Sequence, residues 1–382
     1  MKKNKQMDLK RKAPRTPRSV EISITNECNL RCKHCSHFGS ADEVKNDLPT
    51  KDWLKFFAEL GRLAVTEVTL CGGEPFLRKD LKELISGIVK NRLRFSILSN
   101  GTLITDETAA YIASTKRCNN VQVSIDGSSP ETHDILRGGG NFNKAVEGIR
   151  QLKKNNIPVA VRVTIFRGNV YELDKIAKLL LDEIGLPGFS TNSASHLGLC
   201  RANAEMVQLT VAERKAAMDA LLRLNKKYHN RISAAAGPLV EAKTWVEMET
   251  ARKEGKKELP GRGYLVSCGG VFSKLAVKPN GVIVPCIQIA HLELGQINKD
   301  DLGEIWRNHP ELIKMRERRN IPLSDFGYCR DCAYVNYCAG GCPALSYTIT
   351  GDEYSYSPDS CLKKYLADGG ELPAETAVVH GK

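Results

Sequence analysis

The chain has 382 residues, of which 42% are hydrophobic and 26% are charged. This composition excludes a disordered or collagen-like chain, and the length allows two or three domains that need no disulfides. The net charge of +12 is concentrated in residues 1–18, which hold eight lysines and arginines and one acidic residue.

The first predicted segment is a basic, disordered arm over residues 1–19, where Pro14 and Pro17 interrupt any helix. A solvated tail and a surface for an acidic partner both fit this charge run. No aromatic residue accompanies the charges, and no apolar run is long enough to span a membrane. We therefore expect neither nucleic acid nor a membrane as a partner.

Residues 20–230 alternate between apolar, β-branched runs and helical patterns. The runs begin near residues 20, 66, 94, 120, 159 and 188, so each gap can hold one crossover helix. Six βα units predict an α/β fold with a partial, TIM-like barrel of parallel strands, in which ligands bind at the carboxyl ends. The side chains at helical spacing are Trp53, Phe56, Phe57 and Leu60, then Leu81, Leu84, Ile85 and Ile88, then Val146, Ile149 and Leu152.

The regular pattern fades after residue 230. Residues 231–263 predict a helical bridge that ends in a Gly- and Pro-containing break. Residues 264–366 are rich in Gly, Pro, Asn and Cys, which is typical of a small, irregular α+β domain. Residues 367–382 are predicted to be a loose tail.

Thirteen cysteines are an odd number, and no signal peptide precedes them. We therefore expect a cytoplasmic protein with thiolate ligands to metal. The first set, Cys28, Cys32 and Cys35, follows the first strand with the spacing CxxxCxxC. Three thiolates can hold an iron–sulfur cluster and leave one iron open. A zinc site completed by His34 or His37 is the alternative.

Glycines and short polar residues follow the next three strands. Glycine lets the backbone approach a ligand closely, whereas serine and aspartate also serve as turn and cap residues. The candidate binding residues are Gly72, Gly73, Glu74 and Pro75 after the second strand, Ser99 and Asn100 after the third, and Ser124 and Asp126 at the end of the fourth.

A second cysteine set lies in the carboxyl-terminal region. Seven cysteines exceed the four of a zinc ribbon and suit two iron–sulfur clusters, with two zinc sites as the alternative. The set is Cys268, Cys286, Cys329, Cys332, Cys338, Cys342 and Cys361. Cys71, Cys118 and Cys200 are left over; Cys71 is either a buried small side chain, a hydrogen-atom donor or a further cluster ligand.

The CxxxCxxC motif, with His34 before its last cysteine and the GGEP, SNGT and SIDG strand ends, resembles the radical S-adenosylmethionine (SAM) superfamily. The resemblance implies a [4Fe–4S] cluster on the first cysteine set and a SAM site formed by the strand-end residues. It further implies reductive cleavage of SAM to a 5′-deoxyadenosyl radical that abstracts a substrate hydrogen. A flavodoxin- or ferredoxin-like protein would donate the electron.

The second set resembles the SPASM extension, which carries two auxiliary [4Fe–4S] clusters in peptide-modifying members of this superfamily. The resemblance implies three clusters in all. It assigns Cys329, Cys332, Cys338 and Cys361 to an outer cluster. It assigns Cys268, Cys286 and Cys342 to an inner cluster, whose fourth ligand stays open.

This likeness favours a maturase that crosslinks, epimerises or oxidises a ribosomally made peptide or a protein side chain. Formylglycine formation is disfavoured, because Ile287 follows Cys286 where sulfatase-maturing relatives carry aspartate. The stretch before the first strand is too short for a winged leader-binding domain, so we expect the basic arm, the helices of residues 210–256 or a separate leader-binding protein to recognise a leader peptide. The alternatives are a radical SAM enzyme that acts on a tetrapyrrole or another small molecule, and a non-catalytic iron–sulfur electron carrier.

Overall fold

A computed structural model describes residues 13–39, 43, 46–194 and 196–374. Ten strands in these residues form one sheet, in the order β10-β9-β8-β1-β2-β3-β4-β5-β6-β7 when they are numbered along the chain. Strands β1 to β8 run parallel to one another, whereas β9 is antiparallel to β8 and to β10. The strands are β1 (Ser19–Thr25), β2 (Glu67–Gly72), β3 (Arg94–Ser99), β4 (Cys118–Ser124), β5 (Val159–Ile165), β6 (Phe189–Ser193), β7 (Ile232–Ala234), β8 (Lys274–Val277), β9 (Val282–Val284) and β10 (Gly295–Gln296).

Helices alternate with the strands of the barrel, and five short helices lie in the otherwise irregular carboxyl-terminal region. No helix of the described residues is long and apolar enough to cross a membrane. The helices are α1 (Thr50–Arg62), α2 (Leu81–Lys90), α3 (Asp106–Ser114), α4 (Pro130–Arg137), α5 (Asn141–Lys154), α6 (Leu173–Ala177), α7 (Gly198–Ala202), α8 (Ala204–Val207), α9 (Val211–Lys227), α10 (Pro238–Lys253), α11 (Leu302–Asn308), α12 (Pro310–Glu317), α13 (Gly327–Arg330), α14 (Pro343–Thr350) and α15 (Leu362–Ala367).

The hydrophobic core lies between the helices and one face of the sheet. Val20, Ile22 and Ile24 alternate along β1 and are fully buried. The stripes predicted for α1, α2 and α5 are buried as well, which confirms the periodicity. Burying one such side chain contributes about 1.5–3 kcal/mol, so these stripes fix which way each helix faces.

All six predicted strands are present, and the α/β partial barrel is confirmed. The sheet nevertheless continues beyond them. β7 adds a seventh parallel strand beside β6, and β8 pairs with the other side of β1, Ser19 opposite Lys274. The cysteine-rich region therefore contributes strands to the barrel sheet. These added strands have two to four residues, too few for a period-two pattern to show.

Residues near both ends of the chain contact the folded protein where the sequence predicts a disordered arm and a loose tail. Residues 1–12 of the basic arm lie outside the described residues, but the carbonyl of Pro14 accepts a hydrogen bond from Trp306 Nε1 at 2.7 Å and Ser19 already begins β1. The predicted disordered arm therefore does not extend to residue 19. At the other end the carbonyl of Glu371 accepts from the Tyr365 hydroxyl at 2.9 Å, and residues 375–382 lie outside the described residues.

Candidate active site

The loop after β1 carries Cys28, Cys32 and Cys35, all partly buried. The amide of Leu30 donates to Cys28 Sγ at 3.4 Å, and such N–H···S contacts favour negative charge on a cluster ligand. Burial raises the pKa of Cys32 to about 11, although Arg137 opposes the shift. Since metals bind thiolates, a cluster would displace these protons on binding.

Two other segments hold this cysteine loop in place. The amide of Lys33 donates to the carbonyl of Leu136 at 2.8 Å, and the amide of Cys200 donates to the carbonyl of Cys35 at 3.2 Å. The thiol of Cys200 is fully buried and accepts from Gln208 at 3.6 Å. Burial raises its pKa to about 11, so Cys200 stays a neutral packing partner of the loop.

The turn after β2 (residues 72–75) packs directly against the cysteine loop. A Cβ atom on Gly73 would lie 2.0 Å from the carbonyl oxygen of Glu27, and one on Gly72 would lie 2.2 Å from that of Thr25. Gly72 also has φ of 129°, which side chains disfavour. The glycines therefore allow β2 to approach the cysteine loop closely. This packing requires glycine whether or not a ligand also contacts these residues.

Replacing Gly73 by alanine is expected to lower SAM cleavage about 100-fold, because the loop that carries Cys28 must move to relieve the contact. The measurement is 5′-deoxyadenosine formed by the reconstituted protein under anaerobic conditions. Gly139→Ala is the matched control, since its Cβ would meet no atom within 4 Å. Equal activity of both variants would contradict the close packing of the turn.

Glu74 is fully buried and joins the ends of β2 and β3. Its two carboxylate oxygens accept from the Ser99 hydroxyl and from the Asn100 amide, both at 2.8 Å. Burial raises the pKa of Glu74 to about 7, although the hydrogen bonds oppose the shift. Pro75, also buried, opens the short turn that follows. The structure thus brings these candidate residues together in one unit.

Asn100 links this unit to the cysteine loop. Its Nδ2 donates to Asn29 Oδ1 at 2.9 Å and lies 3.9 Å from Cys28 Sγ. Its Oδ1 accepts from the amide of Thr102 at 2.9 Å, which fixes the amide orientation. The end of β3 therefore helps to orient the first cysteine.

Asp126, fully buried just after β4, is the centre of a second network. One carboxylate oxygen accepts from Arg137 Nε at 2.6 Å, and the other accepts from the amide of Thr164 at 2.8 Å. Burial would raise the pKa of Asp126, but Arg137 and the neighbouring rings of His34 and His133 bring it below its ordinary value. The carboxylate is therefore ionised and pairs with the guanidinium.

This second network reaches the cysteine loop. Arg137 Nη1 lies 4.0 Å from Cys32 Sγ, and Nη2 lies 3.3 Å from His34 Nε2. Burial lowers the pKa of His34 to about 4, so the ring is neutral at pH 7. Its Nδ1 is buried without a hydrogen-bond partner among the described residues, which fits a polar ligand beside the cysteines. Arg137 reaches the loop from the last turn of α4, the helix that follows β4.

The sheet has a polar inner face, opposite the helices. Ser124, the last residue of β4, stands opposite Arg162 in the β4–β5 register. The inner-face side chains that contact one another are Glu21 with Lys274, Ser23 with Cys71, Glu67 with Ser96, and Gln122 with Arg162. The face thus combines two acidic and two basic side chains with hydroxyl, thiol and amide groups.

The four cysteines assigned to the outer cluster line one pocket. Tyr328 and Tyr356 stack on each other at its wall, with ring centroids 5.6 Å apart. Backbone amides donate to three of the four sulfurs at 3.3–3.4 Å. The pocket is lined by Cys329, Cys332, Cys338 and Cys361. Four thiols with amide donors fit an iron–sulfur cluster.

Cys268, Cys286 and Cys342 come from three separate segments. Burial raises the pKa of Cys286 to about 11, and Cys268 adds to the shift from nearby. The buried guanidinium of Arg318 interacts electrostatically with both Cys342 and Cys268. In the described residues no three His, Cys, Asp or Glu side chains converge tightly enough to hold a single metal ion.

The three remaining cysteines occupy different places, and none of the thirteen cysteines forms a disulfide in the structure. Cys71 is on the inner face, 3.6 Å from the Ser23 hydroxyl, and burial raises its pKa. Cys118 begins β4 opposite Phe95, at the end of the strand away from the cysteine loop. Cys200 lies beneath that loop.

Two protein-family models match the chain. One is described as the radical SAM superfamily and matches residues 22–180. The other, SPASM, is described as an iron–sulfur cluster-binding domain and matches residues 268–333. The first match includes the cysteine loop and both networks around it, and the second begins at Cys268.

Known proteins match most of the chain. An AdoMet-dependent heme synthase of Methanosarcina barkeri is 28% identical over 347 residues, which cover 90% of this chain and 95% of that protein. Mycofactocin maturase MftC of Mycobacterium ulcerans is 27% identical, over 92% of this chain and 89% of its own. Streptococcus suis SuiB, solved with its precursor peptide SuiA, shares the fold with a TM-score of 0.69 at 17% identity, over 92% of this chain and 77% of SuiB.

Proposed function

The chain is a radical SAM enzyme with a SPASM domain, and we propose that it modifies a ribosomally made peptide or a protein side chain. SAM and iron–sulfur clusters are its cofactors. Cys28, Cys32 and Cys35 would hold a [4Fe–4S] cluster, which would supply the electron for reductive cleavage of SAM and so the radical chemistry that removes a substrate hydrogen. The product is a crosslinked, epimerised or oxidised residue.

The two networks around the cysteine loop support a SAM site at this edge of the barrel. The unit of Glu74, Ser99 and Asn100 holds the ends of β2 and β3 beside Cys28. The ionised pair of Asp126 and Arg137 holds a positive charge beside Cys32. In this proposal SAM is held by Gly72, Gly73, Glu74, Pro75, Ser99, Asn100, Ser124 and Asp126.

Three clusters are proposed in total, one on the cysteine loop and two on the seven carboxyl-terminal cysteines. The outer assignment is supported by the pocket that its four cysteines share. A flavodoxin- or ferredoxin-like protein is the proposed electron donor, and a separate protein is proposed to bind a leader peptide.

The observation that carries the peptide assignment is the polar inner face. A peptide presents an amide donor and an acceptor at almost every residue, and the hydroxyl, amide and charged groups of this face can pair with them. A tetrapyrrole is a broad apolar ring, and sites for such ligands are lined mainly by hydrophobic and aromatic side chains. The inner-face pairs described above are instead hydrogen-bonded or charged.

A tetrapyrrole or another small molecule is the second candidate. The 28% identity with the heme synthase favours it. Arg162 and Lys274 on the inner face offer positive charges that carboxylates on such a ring could pair with.

The test compares substrates under anaerobic conditions with SAM and a strong reductant. One arm holds each short peptide encoded beside the gene, and the other holds iron coproporphyrin III. A change in peptide mass, or deuterium gained in D₂O, is expected in the first arm and is expected to be absent with Cys32→Ala. Conversion of the porphyrin with every peptide unchanged would replace the peptide assignment with the second candidate.

A further inference from the structure

Arg318 is a buried arginine, and the Asp352 carboxylate acts on its charge from beyond ion-pair distance. It is 1% exposed, and in the part of the chain that the structure describes no carboxylate lies within ion-pair distance of it. Its guanidinium donates instead to neutral oxygens. The acceptors are the carbonyls of Glu353 at 2.7 Å, Ser355 at 2.6 Å, Gly341 at 3.4 Å and Val266, and the Ser346 hydroxyl at 3.4 Å.

These acceptors belong to the segments that carry the inner cysteines. Val266 lies two residues before Cys268, and Gly341 immediately precedes Cys342. Ser346 lies in the first turn of α14 and also donates to the carbonyl of Cys342 at 3.2 Å. One rigid guanidinium therefore clamps two of the three segments that must converge on the inner cluster.

The positive charge of Arg318 is buried, so a nearby negative charge is needed to offset the cost of burial. A buried cation is costly unless an anionic group faces it. Burial lowers the pKa of Arg318 to about 10, and Cys342, Asp352, Tyr354 and Cys268 oppose that shift, so the side chain is cationic at pH 7. Asp352 compensates this charge only from a distance, and a cluster held by cysteine thiolates would add negative charge closer to the guanidinium.

We propose that Arg318 positions the inner auxiliary cluster and compensates its negative charge. The net charge and hydrogen bonding around an iron–sulfur cluster set its reduction potential. A fixed cation stabilises the more negative, reduced form, so Arg318 raises the potential and makes the inner cluster a better electron acceptor. The proposal rests on the proposed assignment of Cys268, Cys286 and Cys342 to that cluster.

The test uses the full chain with all clusters reconstituted. Arg318→Met removes charge and hydrogen bonds, whereas Arg318→Lys keeps the charge. Arg316→Met is the matched control, because Arg316 lies over the Trp306 ring and bonds the carbonyl of Val271. Iron content and the potential of each cluster, from redox titration followed by EPR, are measured. Cys342→Ala identifies the inner-cluster signal as the one that disappears.

Arg318→Met is expected to make reduction of the inner cluster at least tenfold less favourable, which lowers its potential by about 59 mV for one electron. If the cluster is lost instead, the variant is expected to contain about four fewer iron atoms and still to cleave SAM. Arg318→Lys is expected to shift the potential of the inner cluster less than Arg318→Met does. Arg316→Met is expected to leave that potential at its wild-type value. Full iron with an unchanged potential in Arg318→Met would overturn the proposal. If Arg318→Met does not fold, Arg318→Gln is measured in the same way. Loss of all clusters in both variants would also overturn the proposal.

The control on the assignment is separate. If Cys342→Ala removes no iron, the assignment of Cys342 to an inner cluster is wrong, regardless of the result for Arg318. If Cys342→Ala removes about four iron atoms while Arg318→Met changes nothing, only the role of Arg318 fails.

Discussion

Replacing Cys32 by alanine is expected to abolish reductive cleavage of SAM and to lower the iron content from about twelve to about eight atoms. Cys32 is the middle cysteine of the cysteine loop, and Arg137 lies 4.0 Å from its sulfur. Without this thiol two ligands remain, too few to hold a cluster that leaves one iron open for SAM. The auxiliary cysteines lie on other segments, so their iron should stay.

The amount of 5′-deoxyadenosine formed and the iron and sulfide content are measured on the same anaerobic sample. Cys118→Ala is the matched control, since Cys118 is also partly buried but lies at the amino end of β4. It should keep about twelve iron atoms and full cleavage. SAM cleavage that survives in Cys32→Ala would contradict the catalytic role of the loop. A wild-type iron count near four would contradict the auxiliary clusters.

Asp126→Asn is expected to destabilise the protein by about 3–5 kcal/mol, because it leaves the buried Arg137 without its counter-ion. The Asp126 carboxylate is fully buried and lies 2.6 Å from Arg137 Nε. SAM cleavage should fall about 100-fold as well, since Arg137 would no longer be held beside Cys32. Thermal and denaturant midpoints of the cluster-loaded protein check the first effect.

Asp174→Asn is the matched control, because its pair with Arg223, at 2.6 Å, is more than half exposed. Such a pair contributes about 0–1 kcal/mol. The double variant Asp126→Asn with Arg137→Met should recover part of the lost stability, as contacting residues couple in a double-mutant cycle. Equal midpoints for Asp126→Asn and Asp174→Asn would show that the buried pair does not stabilise the site.

The Asp126–Arg137 pair also has a defined pH dependence. Because the pKa of Asp126 lies below its ordinary value of 3.8, the pair stabilises the folded chain above that pH. The contribution is lost only as the pH falls below 3.8. Buried Glu74 behaves in the opposite way: its pKa is raised to about 7, so its contribution decreases as the pH rises towards 7.

Local patterns in the sequence determined the barrel and the cysteine sets. The spacing of Trp53, Phe56 and Leu60 sufficed to predict α1, because a helix buries every third or fourth residue. CxxxCxxC places three thiols on one loop whatever surrounds it. The four outer cysteines were grouped by resemblance, and the pocket they share agrees with that grouping.

Only the tertiary structure decided how these parts meet. No local pattern shows that β8 joins β1, that Arg137 spans 105 residues to reach Cys32, or that Arg318 clamps the segments of two cysteines. The physical reason is that a periodic pattern reports which face of an element is buried, whereas the partner of a buried charge is set by packing between distant segments. The sequence by itself thus predicted the candidate cluster ligands, and the fold determined which charges surround them.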